Sequence, residues 1–188
     1  PLAFYGGVSA GAPVLVLADV AVDEEFVEKA GDGWEARVYE TLGSANDLLG
    51  PIGVSISVHS LQRWHSDDTV PYISSHLNLA EKQVERAPSN LFLAITGQDT
   101  VRYDGWARES GSRMIVRFYW DQQDHNPSLI AHEVGHLLGA GHHEDEDDCD
   151  DHGCIMDQRG YAHGTNWCHH HERVIQEYIA SSLAMLES

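Results

Sequence analysis

The stretch His132-Glu-Val-Gly-His-Leu-Leu-Gly-Ala-Gly-His142 reads H-E-x-x-H-x-x-G-x-x-H. On a helix, His132 and His136 stand four residues apart and share one face, one turn above the other. Two imidazoles so placed can hold one zinc ion. Glu133 turns toward the open side of such an ion, where it can hold a water. Gly139 offers a stop, because glycine reaches the left-handed conformation without a Cβ clash. A reversal there brings His142 back as a third ligand. Three protein ligands with one open position is the arrangement of a catalytic zinc, not of a structural one. The chain is rich in His and Glu, so a bare H-E-x-x-H could arise from composition; Gly139 and His142 in register are what composition does not supply.

Cys154-Ile-Met156 follows shortly after His142. With it, the pattern resembles the metzincin clan of zinc endopeptidases, which carry a methionine in a tight turn below the zinc. The Cys-Ile-Met triplet and its distance from the third histidine are most similar to the adamalysin (reprolysin) family. The specific part of the resemblance is His132 to Met156; a weaker similarity in the order of elements covers nearly the whole chain.

The resemblance implies an α/β, metzincin-like zincin fold. Its sheet is mixed and mostly parallel with an antiparallel edge strand, its zinc helix lies at the cleft, and a small irregular C-terminal subdomain ends in a helix. It implies one catalytic metalloprotease domain over residues 1–188, with an upper subdomain 1–142 and a lower one 143–188. One catalytic zinc is expected on His132, His136 and His142. Glu133 is the expected general base, taking a proton from the attacking water and passing it to the leaving amine. Met156 is expected beneath the imidazoles as a soft apolar floor, without touching the ion. Residues 157–162 would wall the pocket for the side chain beyond the cut. In metzincins the strand just before the zinc helix is the edge, so residues near Gly111 to Ile115 are expected to line the cleft and pair with an extended protein or peptide substrate.

The three cysteines are Cys149, Cys154 and Cys168, and their spacing is not that of a zinc ribbon. Cys149 and Cys154 fall where adamalysins place a short disulfide, so that pair is the expected bridge. Cys168 has Asp147 at its usual partner's position, and it either stands alone or takes Cys149 instead. A disulfide in either case points to a secreted or otherwise extracytoplasmic protein. The chain also departs from the family. His143 follows the third histidine where adamalysins have Asp, and Gln158 stands where astacins have a tyrosine, so no tyrosine switch is expected.

Composition narrows the partners. A chain of 188 residues suits one domain with a sizeable core. A net charge of −19 argues against nucleic acid, whose phosphates would repel it. No apolar run is long enough to span a membrane, and a monomer is expected. Lysine occurs only at Lys29 and Lys82, so the acid excess reads either as salt adaptation or as a solubility device. The chain starts at Pro1 instead of Met, as a processed or trimmed product would. Residues 143–151 hold seven carboxylates that could bind calcium, yet they lack the EF-hand glycine and read first as a solvated acidic loop. His169-His-His171 reads as the opening of the final helix. The alternative to an endopeptidase is a catalytically inactive zinc- or calcium-binding interaction module; the intact Glu133 speaks against it.

The elements that must position these residues follow from periodicity. Val14 to Asp19 and Leu91 to Thr96 are apolar throughout and read as buried strands. Apolar residues recur at helical spacing from Glu24 to Leu49, weakened at Gly31 and Gly33, with Asp23 able to cap the start and Gly50-Pro51 ending it. Val54 to Leu61 alternates, as a half-buried strand does, with His59 on its polar side. A helix from Ser74 or Ser75 to about Ala87 stops at Pro88. Residues 97–111 read as a polar surface connection, and Met114 to Tyr119 as a fourth strand. Asn126-Pro127-Ser128 opens the zinc helix, and a last helix runs from about Cys168 to Leu186.

Overall fold

The computed structural model describes residues 2–5, 13–88, 90–108, 111–142, 153–157 and 164–186. Five strands form one sheet: β1 (Val14–Val22), β2 (Val54–Arg63), β3 (Leu91–Thr96), β4 (Gly105–Ala107) and β5 (Arg113–Arg117), in the order β2-β1-β3-β5-β4. β1 pairs parallel with β2 and β3, β3 pairs parallel with β5, and β4 runs antiparallel to β5. The sheet is therefore mixed, mostly parallel, with one antiparallel edge.

Parallel neighbours need crossover connections. Helices α1 (Glu24–Ala30) and α2 (Trp34–Leu49) carry the chain from β1 to β2, and α3 (Ile73–Gln83) carries it from β2 to β3. The long helical pattern breaks where its glycines fall: Gly31 has φ 63°, and a 3-10 turn spans Gly31–Gly33. Asp23 caps α1 as expected. Its Oδ1 accepts from the Phe26 N–H at 2.9 Å and from the Gly97 N–H at 2.8 Å, tying the helix start to the end of β3. Burial pushes this carboxyl up to about 6.

β3 shows why a central strand reads as an unbroken apolar run. Leu91, Leu93 and Ile95 point into the larger core, with α2 and the zinc helix, while Phe92 and Ala94 point into the smaller one, with Ile73 and Leu77 of α3. Both faces are covered, so neither needs polar residues.

The antiparallel edge is not the strand expected. β5 lies inside the sheet between β3 and β4, with Met114 and Ile115 fully buried. Residues near Gly111 to Ile115 thus cannot offer a free strand edge. The edge is β4, within the stretch read as a surface connection. Three residues with a leading glycine give alternation too little length to register. Smaller differences concern ends: α3 begins at Ile73 and stops at Gln83, and β2 continues to Arg63.

The zinc-motif helix α4 (His125–Leu137) follows β5 directly. Asn126 fixes the junction, accepting from the Tyr119 N–H at 2.7 Å and donating to the Tyr119 carbonyl at 2.9 Å. The last helix, α5 (His169–Leu186), buries Ile175 and Ile179 against the larger core. Among the described residues no helix is long and apolar enough to cross a membrane.

Candidate active site

α4 puts His132 and His136 on one face, as the spacing requires. The helix ends at Leu137, Gly139 takes φ 84°, and the reversed chain returns His142. The three Nε2 atoms converge: His132 to His136 is 3.1 Å, His132 to His142 is 3.1 Å, and His136 to His142 is 3.0 Å. His132 Nδ1–H donates to the Ile155 carbonyl at 2.7 Å, and His136 Nδ1–H donates to the Ala140 carbonyl at 2.8 Å. A carbonyl cannot donate, so these bonds fix the tautomer and leave Nε2 of both rings as bare lone pairs. Converging lone pairs repel unless a cation sits among them. A tetrahedral zinc with bonds of 2.0–2.1 Å sets its nitrogens roughly 3.3 Å apart, close to what is seen. Burial pushes His132 down to about 4, so protonation does not relieve the crowding near neutral pH.

Glu133 lies one residue on and is buried. Its Oε2 has no hydrogen-bond partner among the described residues. Burial first, and the charge of Asp104 second, push its carboxyl up to about 8. Asp104 is itself held by Arg117 Nη2 at 2.7 Å and accepts from the Tyr119 hydroxyl. Gly105 on β4 faces Glu133: a Cβ there would come within 2.7 Å of the Glu133 Cδ. The edge strand thus approaches the helix only because it carries no side chain at that point.

Met156 is fully buried. It lies in a tight turn closed by the Asp157 N–H donating to the Cys154 carbonyl at 2.9 Å. Its sulfur packs where Gly135 has no side chain; a Cβ at Gly135 would meet that sulfur at 2.5 Å and the Trp167 ring at 3.2 Å. The same turn offers the Ile155 carbonyl that orients His132.

The model of metallo-peptidase family M12, of reprolysin type, matches residues 14–182. The chain belongs to this family. It is 27% identical over 157 residues to the snake venom metalloproteinase trimerelysin-2 of Protobothrops flavoviridis, an alignment covering 73% of this chain and 77% of the relative. Its fold is similar to the crystal structure of archaemetzincin from Methanopyrus kandleri, with a TM-score of 0.63 at 18% identity, covering 92% of this chain and 99% of that one. A similar fold, TM-score 0.63 at 10% identity, occupies 35% of a chain in a chaperone–substrate complex. The protein is a metzincin-type zinc metalloprotease.

For this M12 protein, the structure brings His132, His136, His142, Glu133 and Met156 into one place. Cys149, the acidic run 143–151 and residues 158–162 of the expected pocket wall lie outside the described residues. Cys154 is a buried thiol among the described residues, and Cys149, its expected bridge partner, lies outside them. Its sulfur stands 3.4 Å from His171 Nδ1. Sequence reading also missed Gly105 and Gly135. Only the packing partner gives either glycine its meaning, although Gly135 inside a helix already carried a propensity cost that invited a reason.

Proposed function

We propose that this metzincin cleaves peptide bonds as an endopeptidase, with His132, His136 and His142 as zinc ligands and Glu133 as general base. The observation that carries it is the convergence of three Nε2 atoms, within 3.1 Å of one another, beside a buried carboxyl. When bound, zinc polarises a carbonyl oxygen and makes a bound water acidic. Glu133 takes the proton from the attacking water and delivers it to the leaving amine. Burial keeps its pKa high, and a dication on the neighbouring imidazoles moves it back toward the ordinary carboxylate range. Met156 serves as the apolar floor of a Met-turn. The extended substrate pairs along β4, whose outer edge is not paired to another strand among the described residues. Arg117 and Tyr119 hold Asp104 at the end of that strand and partly neutralise it. The cleft lies between an upper subdomain, 1–142, and a lower one, 143–188, in a monomer of adamalysin-like type. The likeness to a snake venom enzyme supports secretion.

Glu133→Gln tests this reading. It keeps the shape and a hydrogen bond but removes the base, and loss of general-base assistance lowers rates typically by about 10²–10⁴. Turnover of a fluorogenic peptide should drop by at least that much, with zinc content unchanged by metal analysis. Parental turnover in a zinc-loaded Glu133→Gln protein would end the general-base assignment. A parent that binds zinc yet cleaves nothing would favour an interaction module.

A further inference from the structure

A second group of metal-capable side chains lies behind the histidine site. Cys154, Cys168 and His171 are all buried, and their ligand atoms lie within 4.8 Å of one another. His171 Nδ1 stands 3.4 Å from the Cys154 sulfur and 3.2 Å from the Cys168 sulfur. On the far side of the ring, His171 Nε2–H donates to the Gly141 carbonyl at 3.0 Å. That bond fixes the tautomer and aims the Nδ1 lone pair at the two sulfurs. A metal-bound imidazole is oriented in just this manner, its second nitrogen donating to a backbone carbonyl. The Cys154 sulfur also accepts from the backbone N–H groups of Met156 and Cys168.

We propose that Cys154, Cys168 and His171 form a second, structural metal site, taking zinc or a similar borderline-soft divalent ion. Two thiolates and a neutral imidazole cancel the charge of a dication, so the loaded site is neutral and can stay buried. Thiolate and imidazole donors exclude calcium and magnesium, which take oxygen. The fourth position of a tetrahedral ion falls to a donor outside these three. The site would act on the first one through the backbone. Cys154 precedes Ile155, whose carbonyl orients His132, and Gly141, held by His171, precedes His142. A metal here locks the turn under the catalytic helix to the start of α5 and to the loop that delivers the third histidine.

The inference builds on the three-histidine zinc assignment, and the test separates the two. The full chain is prepared as parent and as His132→Ala/His136→Ala, which disables the first site and leaves the second intact. Metal analysis of proteins purified without chelator should give two zinc ions per parent chain and one in the double variant. Cobalt(II) bound to the double variant should show the near-ultraviolet thiolate-to-cobalt absorption, which a site of three histidines lacks. Cys168→Ser in the parent should lose one zinc and that absorption. If it does not fold, the double variant still decides. A double variant that holds no metal and shows no thiolate–cobalt band overturns the second site, as does a disulfide on Cys154 or Cys168 found by mapping. One zinc in the parent with the thiolate signature retained would instead remove the histidine assignment and leave this one standing.

Discussion

The two groups of three differ in what surrounds them. His132, His136 and His142 are an all-nitrogen set, one buried and two half-buried, with the Glu133 carboxyl alongside. Cys154, Cys168 and His171 are two sulfurs and one nitrogen, all buried. The first group is open enough to admit a substrate. The second is closed to one and can only brace. Yet they are not independent, because residues 140–142 and 154–156 carry hydrogen-bond partners of both. The contrast is between a half-open group beside a carboxyl and a closed one, joined by the backbone that orients both.

The largest expected effect breaks the pair apart. His136→Ala removes one of the three proposed zinc ligands. Loss of a group that only orients a metal ligand costs about 10–100-fold, so peptidase turnover here should fall by more than about 100-fold. Its melting temperature should change little. Cys168→Ser should do the reverse in emphasis: a lower melting temperature, by on the order of 10 °C if a structural metal is lost, with turnover falling as a consequence. Calorimetry beside a peptidase assay reads both. If the two variants lose stability and activity in the same proportion, the division into an active and a bracing group is wrong.

Next comes the buried carboxyl in metal-free protein. Burial raises Glu133 from 4.5 to about 8, so the folded state keeps a proton that the unfolded chain releases. That contribution is full below about pH 4.5 and is lost as pH rises through about 8. Gln carries no such proton. Glu133→Gln apoprotein should therefore exceed the parent in stability by about 3 kcal/mol near pH 7, with the gap vanishing near pH 4. Chemical denaturation at several pH values measures it. With zinc bound the gap should shrink; a gap that ignores zinc would mean the carboxyl does not feel the ion.

Two glycines sharpen the comparison further. Gly135→Ala sets a Cβ 2.5 Å from the Met156 sulfur, with the Trp167 ring also close, and overpacking of this kind costs typically about 1–3 kcal/mol. It should lower stability and turnover together. Gly105→Ala presses on the Glu133 side chain from Cγ to the carboxyl, so the carboxyl must move. Turnover should fall more than stability does. Equal effects on both would place Gly105 in the packing and not in the catalytic geometry.

The smallest effect concerns charge. With −19 on the chain, screening should raise the melting temperature as salt is added if the acidic surface is an adaptation. A flat response up to molar salt leaves it a solubility feature.

The sequence alone determined whatever rests on local spacing. His132, His136 and Glu133 are set by one helical turn, and Gly139 allows the reversal to His142 because only local backbone freedom is involved. The apolar runs at 14–19 and 91–96 marked the parallel strands because both their faces are buried. Tertiary structure decided the rest. β4 became the edge because β5 supplies its only strand partner among the described residues, and three residues carry no period of their own. Cys154, Cys168 and His171 converge because the turn at 154–157 packs against the first turn of α5, a distance in space that spacing in the chain does not encode. Gly105 and Gly135 matter through the side chains that press on them from elsewhere, and a sequence holds no record of what a missing side chain makes room for.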